Sequence, residues 1–405
     1  MKNESTEVTG ENRTDCTSLF RRLLEVLWVS TKLGVTSFGG PIAHLGFFHD
    51  EYIKRRRWLD ERTYADLVAL CQFLPGPASS QVGMGIGIMR AGLWGGVFAW
   101  IGFTLPSVIA LTIFALFLKE SHVADSGWIH GLKIVAVAIV AQAVWGMASK
   151  LTPDRNRATM AVIVMGITLL WQTAISQIAL IIVAGIMGLF LYRGTQQAEL
   201  PELNISIRRS VAVISLVAFF ALLVLLPVMR MLTSSQWLAV FDSFYRSGSL
   251  VFGGGHVVLP LLEREVVPVG WLTKEQFLAG YGAAQAVPGP LFTFAGYLGA
   301  MMGGWSGALI ATIAIFLPAF LLVVGTLPFW DSLRKRPKFQ GALTGVNTAV
   351  VGILLATLYN PIWTSSIYGS KDFVLAAVLF SLLVFWRTPP WAVVLAGAVG
   401  GFVIL

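Results

Sequence analysis

"QFLPGPASSQ", residues 72–81, places two prolines around one glycine in the middle of an apolar region where a helix ought to run on. Proline has no backbone donor and its ring clashes with the preceding turn, so Pro75 and Pro77 break any helix that reaches them. The device returns as "QAVPGPLFT" at 285–293, and a second kind of break precedes each copy, "KLGVTSFGGP" at 32–41 and "RSGSLVFGGG" at 246–255. An offset of 214 aligns Lys32 with Arg246, Phe38 with Phe252, Gly39 and Gly40 with Gly253 and Gly254, and Glu51 with Glu265. At 213, Trp58 meets Trp271, Gln72 meets Gln285 and the PGP triplets coincide; at 212, Gly92 meets Gly304 and Pro106 meets Pro318. The chain is written twice, and that repeat decides the architecture.

Of 405 residues, 56% are hydrophobic and only 12% charged, and the mean hydropathy is +0.74. The runs at 93–118, 210–227 and 305–330 are apolar and long enough to cross a bilayer as helices. They are unbroken, unlike the short alternating segments of a β-barrel. Residues 1–18 are polar, lack the pattern of a cleaved signal peptide, and read as a cytoplasmic tail. Two cysteines, Cys16 and Cys71, and five histidines without close ligand spacing suggest neither a disulfide framework nor a metal, and no cofactor is expected. The net charge of +8 fits basic cytoplasmic loops in contact with a lipid bilayer, with no soluble basic domain for nucleic acid.

Loop charge orients the copies. In the first, "KRRR" (54–57) follows the FGGP break and a near-neutral loop follows the Pro106 helix; in the second, "RKRPK" (334–338) follows the Pro318 helix instead. Since Lys and Arg in short loops mark the cytoplasmic side, the halves lie upside down relative to each other. The expected fold is an all-α polytopic membrane protein of two inverted-topology repeats, with broken helices or re-entrant hairpins and about 9–13 membrane segments. The domains are a tail (1–18), a first repeat (19–192), a linker with one extra transmembrane helix (193–235) and an inverted second repeat (236–405). If FGG and PGP are hairpin tips, every basic loop falls on one side; if each arm is a full span, "KRRR" is stranded outside.

Non-helical backbone at membrane depth persists only where protein or water surrounds it, and inverted repeats with broken helices are the pattern of secondary transporters. Each break leaves unpaired amides at the start of the next helix, where the macrodipole is positive, so converging breaks suit an anion. The candidate substrate-binding residues are Gly39, Gly40, Gly253, Gly254, Gly76 and Gly289 at the breaks, Ser79, Ser80 and Thr293 just past them, and the matched cations Lys32 and Arg246. Competing readings make Lys32 and Arg246 snorkelling side chains, the breaks mere packing kinks, Glu51 and Glu265 interface ion pairs, and Pro106 and Pro318 tolerated kinks. His44 and His256 fall two places apart when the copies are aligned, which makes neither a strong candidate. Acid, base and nucleophile do not cluster, so no enzyme is expected; a membrane-embedded lipid-modifying enzyme is the distant alternative. No GxxxxGK[ST] motif for a nucleotide occurs.

"FGGP" with His44 after it, "FGGG" with His256, and two PGP triplets followed by Gly83 and Gly296 resemble the chromate ion transporter family in its long, two-domain form. The resemblance runs from about residue 20 to the end. It implies a multi-pass protein of a bacterial or archaeal inner membrane that exports chromate and confers chromate resistance, driven by membrane potential or the proton gradient. Chromate is nearly isosteric with sulfate, so a sulfate or related oxyanion transporter is the alternative. The sequence leaves room for a homodimer. One departure, FGGG where the first copy has FGGP, implies that the two tips need not contribute equally.

Overall fold

The computed structural model describes residues 11–38, 40–121, 127–171, 173–192, 207–252, 257–330 and 337–404, which form fifteen α-helices and no strand. Five helices are long and apolar enough to cross a membrane.

The first copy opens with α1 (Glu11–Thr36) and α2 (Gly40–Phe48), the latter continued by a π-helical turn over His49–Arg55. The second limb runs back along the first: Glu51 lies 2.8 Å from Lys32, Tyr52 Oη 3.2 Å from Ser30 Oγ, and Arg56 Nη1 3.0 Å from Glu25 Oε1. The chain therefore doubles back at FGGP. It does so again at PGP, between α3 (Glu61–Phe73) and α4 (Ala78–Ser121), where Leu67 packs so closely on Gly85 that a Cβ there would come within 2.7 Å. With 13 residues α3 is about 20 Å long, short of a hydrocarbon core of about 30 Å.

A third reversal lies inside α4. Ala91 and Gly92 leave helical geometry, Gly92 at φ 69°, and Gly87 packs backbone to backbone against Gly95. A straight helix would hold residues eight apart at about 12 Å, so the helix folds back here, and its second limb is the apolar run at 93–118. Sequence reasoning placed the kinks of this region at Pro106 and Pro318. Both prolines instead sit inside helical backbone, and the breaks fall at Gly92 and its partner Gly304, where lack of a Cβ makes positive φ inexpensive.

The first copy ends with α5 (Gly127–Leu151), α6 (Arg155–Leu170) and α7 (Ala174–Leu191). Asp154 caps α6 by accepting from Arg157 N at 2.9 Å, and Thr173 with Ser176 forms a capping box on α7. The apolar α8 (Arg209–Leu232) leaves most of its surface uncovered, as a lipid-facing linker span would. The second copy repeats the order: α9 (Gln236–Ser249), α10 (Val258–Val266), α11 (Lys274–Ala284), α12 (Phe294–Thr326), α13 (Pro337–Thr357), α14 (Ser370–Val384) and α15 (Pro390–Ile404). In α12 the reversal is at Gly303 and Gly304 (φ 62°), with Gly299 against Gly307.

The copies exchange partners. α5 packs on α15 and α7 on α13 through glycines: Gly127 and Gly131 meet Gly401 and Gly397, and Gly188 meets Gly341 and Gly345. Glycines four apart let helix axes approach, and the resulting dispersion contact replaces the hydrophobic drive that lipid removes. At one end of the first copy Arg56 and Arg90 each reach Glu25 at 3.0 Å and lie over Trp58 at 5.7 and 5.1 Å, which gathers "KRRR" and Arg90 together.

Candidate functional site

The breaks of one copy meet those of the other. The Gly76 amide of the first PGP donates to the Val251 carbonyl just ahead of FGGG at 2.7 Å, and the Gly289 amide of the second PGP donates to the Ser37 carbonyl just ahead of FGGP at 2.9 Å. Gly76 aligns with Gly289 and Ser37 with Val251, so one contact is made twice. Both glycines need their missing side chain. Gly76 has φ +123° with Ala319 Cβ 3.1 Å from where its own Cβ would stand, and Gly289 has φ +95° with a Cβ position that collides with Ser107 Oγ. The Ser107 hydroxyl donates to the Pro288 carbonyl, and Gln81 Nε2 donates to the Pro75 carbonyl at 2.9 Å.

This geometry revises which amides are free. Those of Gly76 and Gly289 are used to join the halves. In α4 the ladder starts with Gln81 N donating to Pro77 O at 2.9 Å, so the amides of residues 78–80 precede it at the positive end of the helix. Ser79 Oγ lies 3.2 Å from His44 Nδ1, Ser80 Oγ is buried without a partner among the described residues, and Thr293 Oγ1 donates to the Pro290 carbonyl at 2.8 Å. Gly40 starts α2 at φ +81° with open space beside it. Gly39, Gly253 and Gly254, with His256, lie outside the described residues.

The matched cations are placed differently from the expectation of charges aimed at a ligand. Lys32 Nζ lies 2.8 Å from Glu51 Oε2, and Arg246 holds Glu265 through Nη1 at 2.9 Å and Nη2 at 3.0 Å. Arg246 also clamps Asp242 at 3.0 and 2.9 Å, and Arg230 adds a bond to Asp242 at 3.2 Å. Glu51 and Glu265 are thus the ion-pair partners of the two cations, each across its own hairpin. A charge in such a setting is stable only when paired, and the carboxylate on the returning limb supplies the pair. From Lys32 to Ser37 the helix rises about 8 Å, so these pairs brace the hairpin arms behind the tips.

Sequence reasoning made His44 no strong candidate. It is 1% exposed, set edge-on to Phe103 with ring centroids 5.4 Å apart, and its Nε2 has no partner among the described residues. Ser37 and Thr104, buried with hydroxyls that have no partner among the described residues, were not among the candidates. A signal existed: each is polar where the other copy carries a large apolar residue.

The chromate transporter family model matches residues 24–189 and 238–402. A probable chromate transport protein of Synechococcus elongatus is 26% identical over 92% of this chain and 93% of its own length. A chromate transport protein of Pseudomonas aeruginosa is 28% identical over 80% of this chain and 78% of its own. An uncharacterized transporter of Bacillus subtilis is 31% identical over 41% of this chain but 96% of its own length, the extent of one copy of the repeat. No solved structure matches the chain.

Proposed function

The chain belongs to the chromate transporter family, and on that premise we propose that it is a secondary transporter that exports chromate across a bacterial or archaeal inner membrane and so confers resistance. The observation that carries the reading is the doubled contact, Gly76 to Val251 and Gly289 to Ser37, which brings the interrupted backbone of both copies to one place. Broken helices that meet between repeats are where secondary transporters hold their substrates, and helix starts directed there favour an anion. The copies are read as inverted, with "KRRR", Arg90 and the basic loop at 150–157 on the cytoplasmic face.

Export of a dianion from a negative interior is favourable by about 2.3 kcal/mol per charge per 100 mV, hence about 4.6 kcal/mol for chromate at about 100 mV. The membrane potential alone drives the direction proposed, and a proton gradient adds to it only if a proton enters in exchange. Uptake of labelled chromate by everted membrane vesicles tests the reading, with sulfate as competitor and with ionophores that collapse either gradient. Accumulation that follows the imposed potential and survives excess sulfate is the expected result. Vesicles that accumulate sulfate in preference, or chromate only in right-side-out orientation, overturn it in favour of oxyanion uptake.

A further inference from the structure

The two crossings occupy equivalent places in the duplicated chain, yet their side chains differ in kind. Around the first copy's break stand Ser37, His44, Ser79, Ser80, Thr104 and Ser107; the aligned positions of the second copy carry Val251, Val258, Phe292, Thr293, Phe316 and Ala319. The second set packs as ordinary core, with Phe292 and Phe316 ring centroids 5.8 Å apart, Trp100 5.9 Å from Phe316, and Thr293 bonded to its own turn. At these six positions the second copy carries one polar side chain, Thr293, and that hydroxyl is satisfied by its own turn. Duplication explains the shared backbone contact and leaves the polarity of one side unexplained.

The first set is equally buried, none of the six residues more than 2% exposed. Yet Ser37 Oγ, His44 Nε2, Ser80 Oγ and Thr104 Oγ1 have no hydrogen-bond partner among the described residues. Buried polar atoms without partners destabilise a protein, and native structures hold few of them. Four around one crossing are accounted for when something else bonds to them. They belong to one neighbourhood: His44 Nδ1 is 3.2 Å from Ser79 Oγ, its ring rests on Phe103 beside Thr104, and Ser37 holds Gly289, whose Cβ position is 3.3 Å from the Phe103 carbonyl. The amides of residues 78–80, ahead of the first ladder bond of α4, belong to the same turn as Ser79 and Ser80.

We infer that a tetrahedral oxyanion binds at the first copy's crossing alone, off the axis relating the repeats, to His44 Nε2, the hydroxyls of Ser37, Ser80 and Thr104 and the first amides of α4, with the Phe292–Phe316 side as a dry wall. An anion at Nε2 selects the tautomer that carries its hydrogen there, in which Nδ1 accepts from the Ser79 hydroxyl 3.2 Å away. The set contains no carboxylate, and neutral donors with a helix dipole suit an anion that must also leave. The inference rests on the proposed transport of chromate and adds where the ion sits.

The test uses everted vesicles and purified protein of wild type, Ser80→Ala and Thr104→Val, with Val258→Ala and Phe292→Leu as second-copy controls. The expected result is a KM for chromate raised at least tenfold in Ser80→Ala and Thr104→Val, with a melting temperature equal to or above wild type, because each change removes an unpartnered hydroxyl. A structural role moves the melting temperature and leaves KM alone. KM within twofold of wild type in both first-copy variants, or raised as much in the controls, overturns the inference while chromate transport stands. If wild-type vesicles move no chromate, the transport reading falls, and the site is judged by melting temperature with sulfate or molybdate: a rise in wild type that Ser80→Ala loses supports it, and a rise common to both overturns it.

Discussion

The Gly289 amide donates to the Ser37 carbonyl at 2.9 Å across the boundary between the two copies. The bond forms only because the chain passes Gly289 at φ +95°, a conformation that a residue with a Cβ reaches at a cost of about 1–3 kcal/mol. Gly289→Ala adds a collision with Ser107 Oγ to that cost. The variant is expected to lose chromate transport and to melt well below wild type. Gly40→Ala, at φ +81° but in open space, is expected to lose only about 1 kcal/mol. Thermal unfolding of the two purified variants checks the difference, and equal melting temperatures contradict it.

Ser107 makes the same junction from the other side by donating to the Pro288 carbonyl. Ser107→Ala leaves that buried carbonyl without its donor, and the expected loss is about 1–2 kcal/mol of stability. Ser107→Thr, which restores a hydroxyl, should recover part of it. A denaturation midpoint unchanged in Ser107→Ala shows that the bond contributes nothing.

The two hairpin ion pairs are expected to differ in strength. Arg246 holds both Asp242, whose side chain is 0% exposed, and Glu265, and its loss leaves Asp242 to Arg230 alone at 3.2 Å, at an expected cost of about 2 kcal/mol. Lys32 is 39% exposed, and Glu51 keeps Arg56 at 3.0 Å without it, so Lys32→Ala is expected to cost about 1 kcal/mol or less. Membrane abundance and melting temperature of Arg246→Ala and Lys32→Ala measure this. Lys32→Ala that is folded yet inactive returns Lys32 to a direct role in transport.

Glycine at the exchanged crossings gives a fourth expectation. Gly131 faces the Gly397 backbone, whereas Gly146 on the same helix has nothing within 4 Å. Gly131→Leu must push α15 away and is expected to cost about 3 kcal/mol, enough to deplete folded protein, while Gly146→Leu is tolerated. Immunoblots of isolated membranes separate the two; similar depletion by both contradicts the packing argument.

Much of the fold was legible because proline and glycine act locally. Pro75 and Pro77, set around Gly76, break the helix where the lone Pro106 and Pro318 do not, and the spacing of the breaks carried the alignment that pairs Gly76 with Gly289. The reversals at Gly92 and Gly304 were not legible, since a glycine inside an apolar run reads alike as packing or as a turn. The site was half legible. Ser79 and Ser80 stood beside a break, but the roles of Lys32 and Arg246 depended on which residue the returning limb brings back nineteen places later. His44 was set aside because its nearest histidine counterpart is two places out of register; its true counterpart is Val258, and the mismatch was itself the signal.

The central claim is that interrupted backbone from both copies meets at two equivalent crossings and that the oxyanion is taken at the first copy's. Anomalous X-ray diffraction at the chromium edge, from crystals grown with chromate, tests it most directly. The account predicts a single chromium peak between the Ser37–Gly289 contact and the start of α4, within hydrogen-bonding reach of His44 and Ser80. A peak beside Lys32 or Arg246, or PGP glycines lying apart from the opposite copy's Ser37 and Val251, would contradict it.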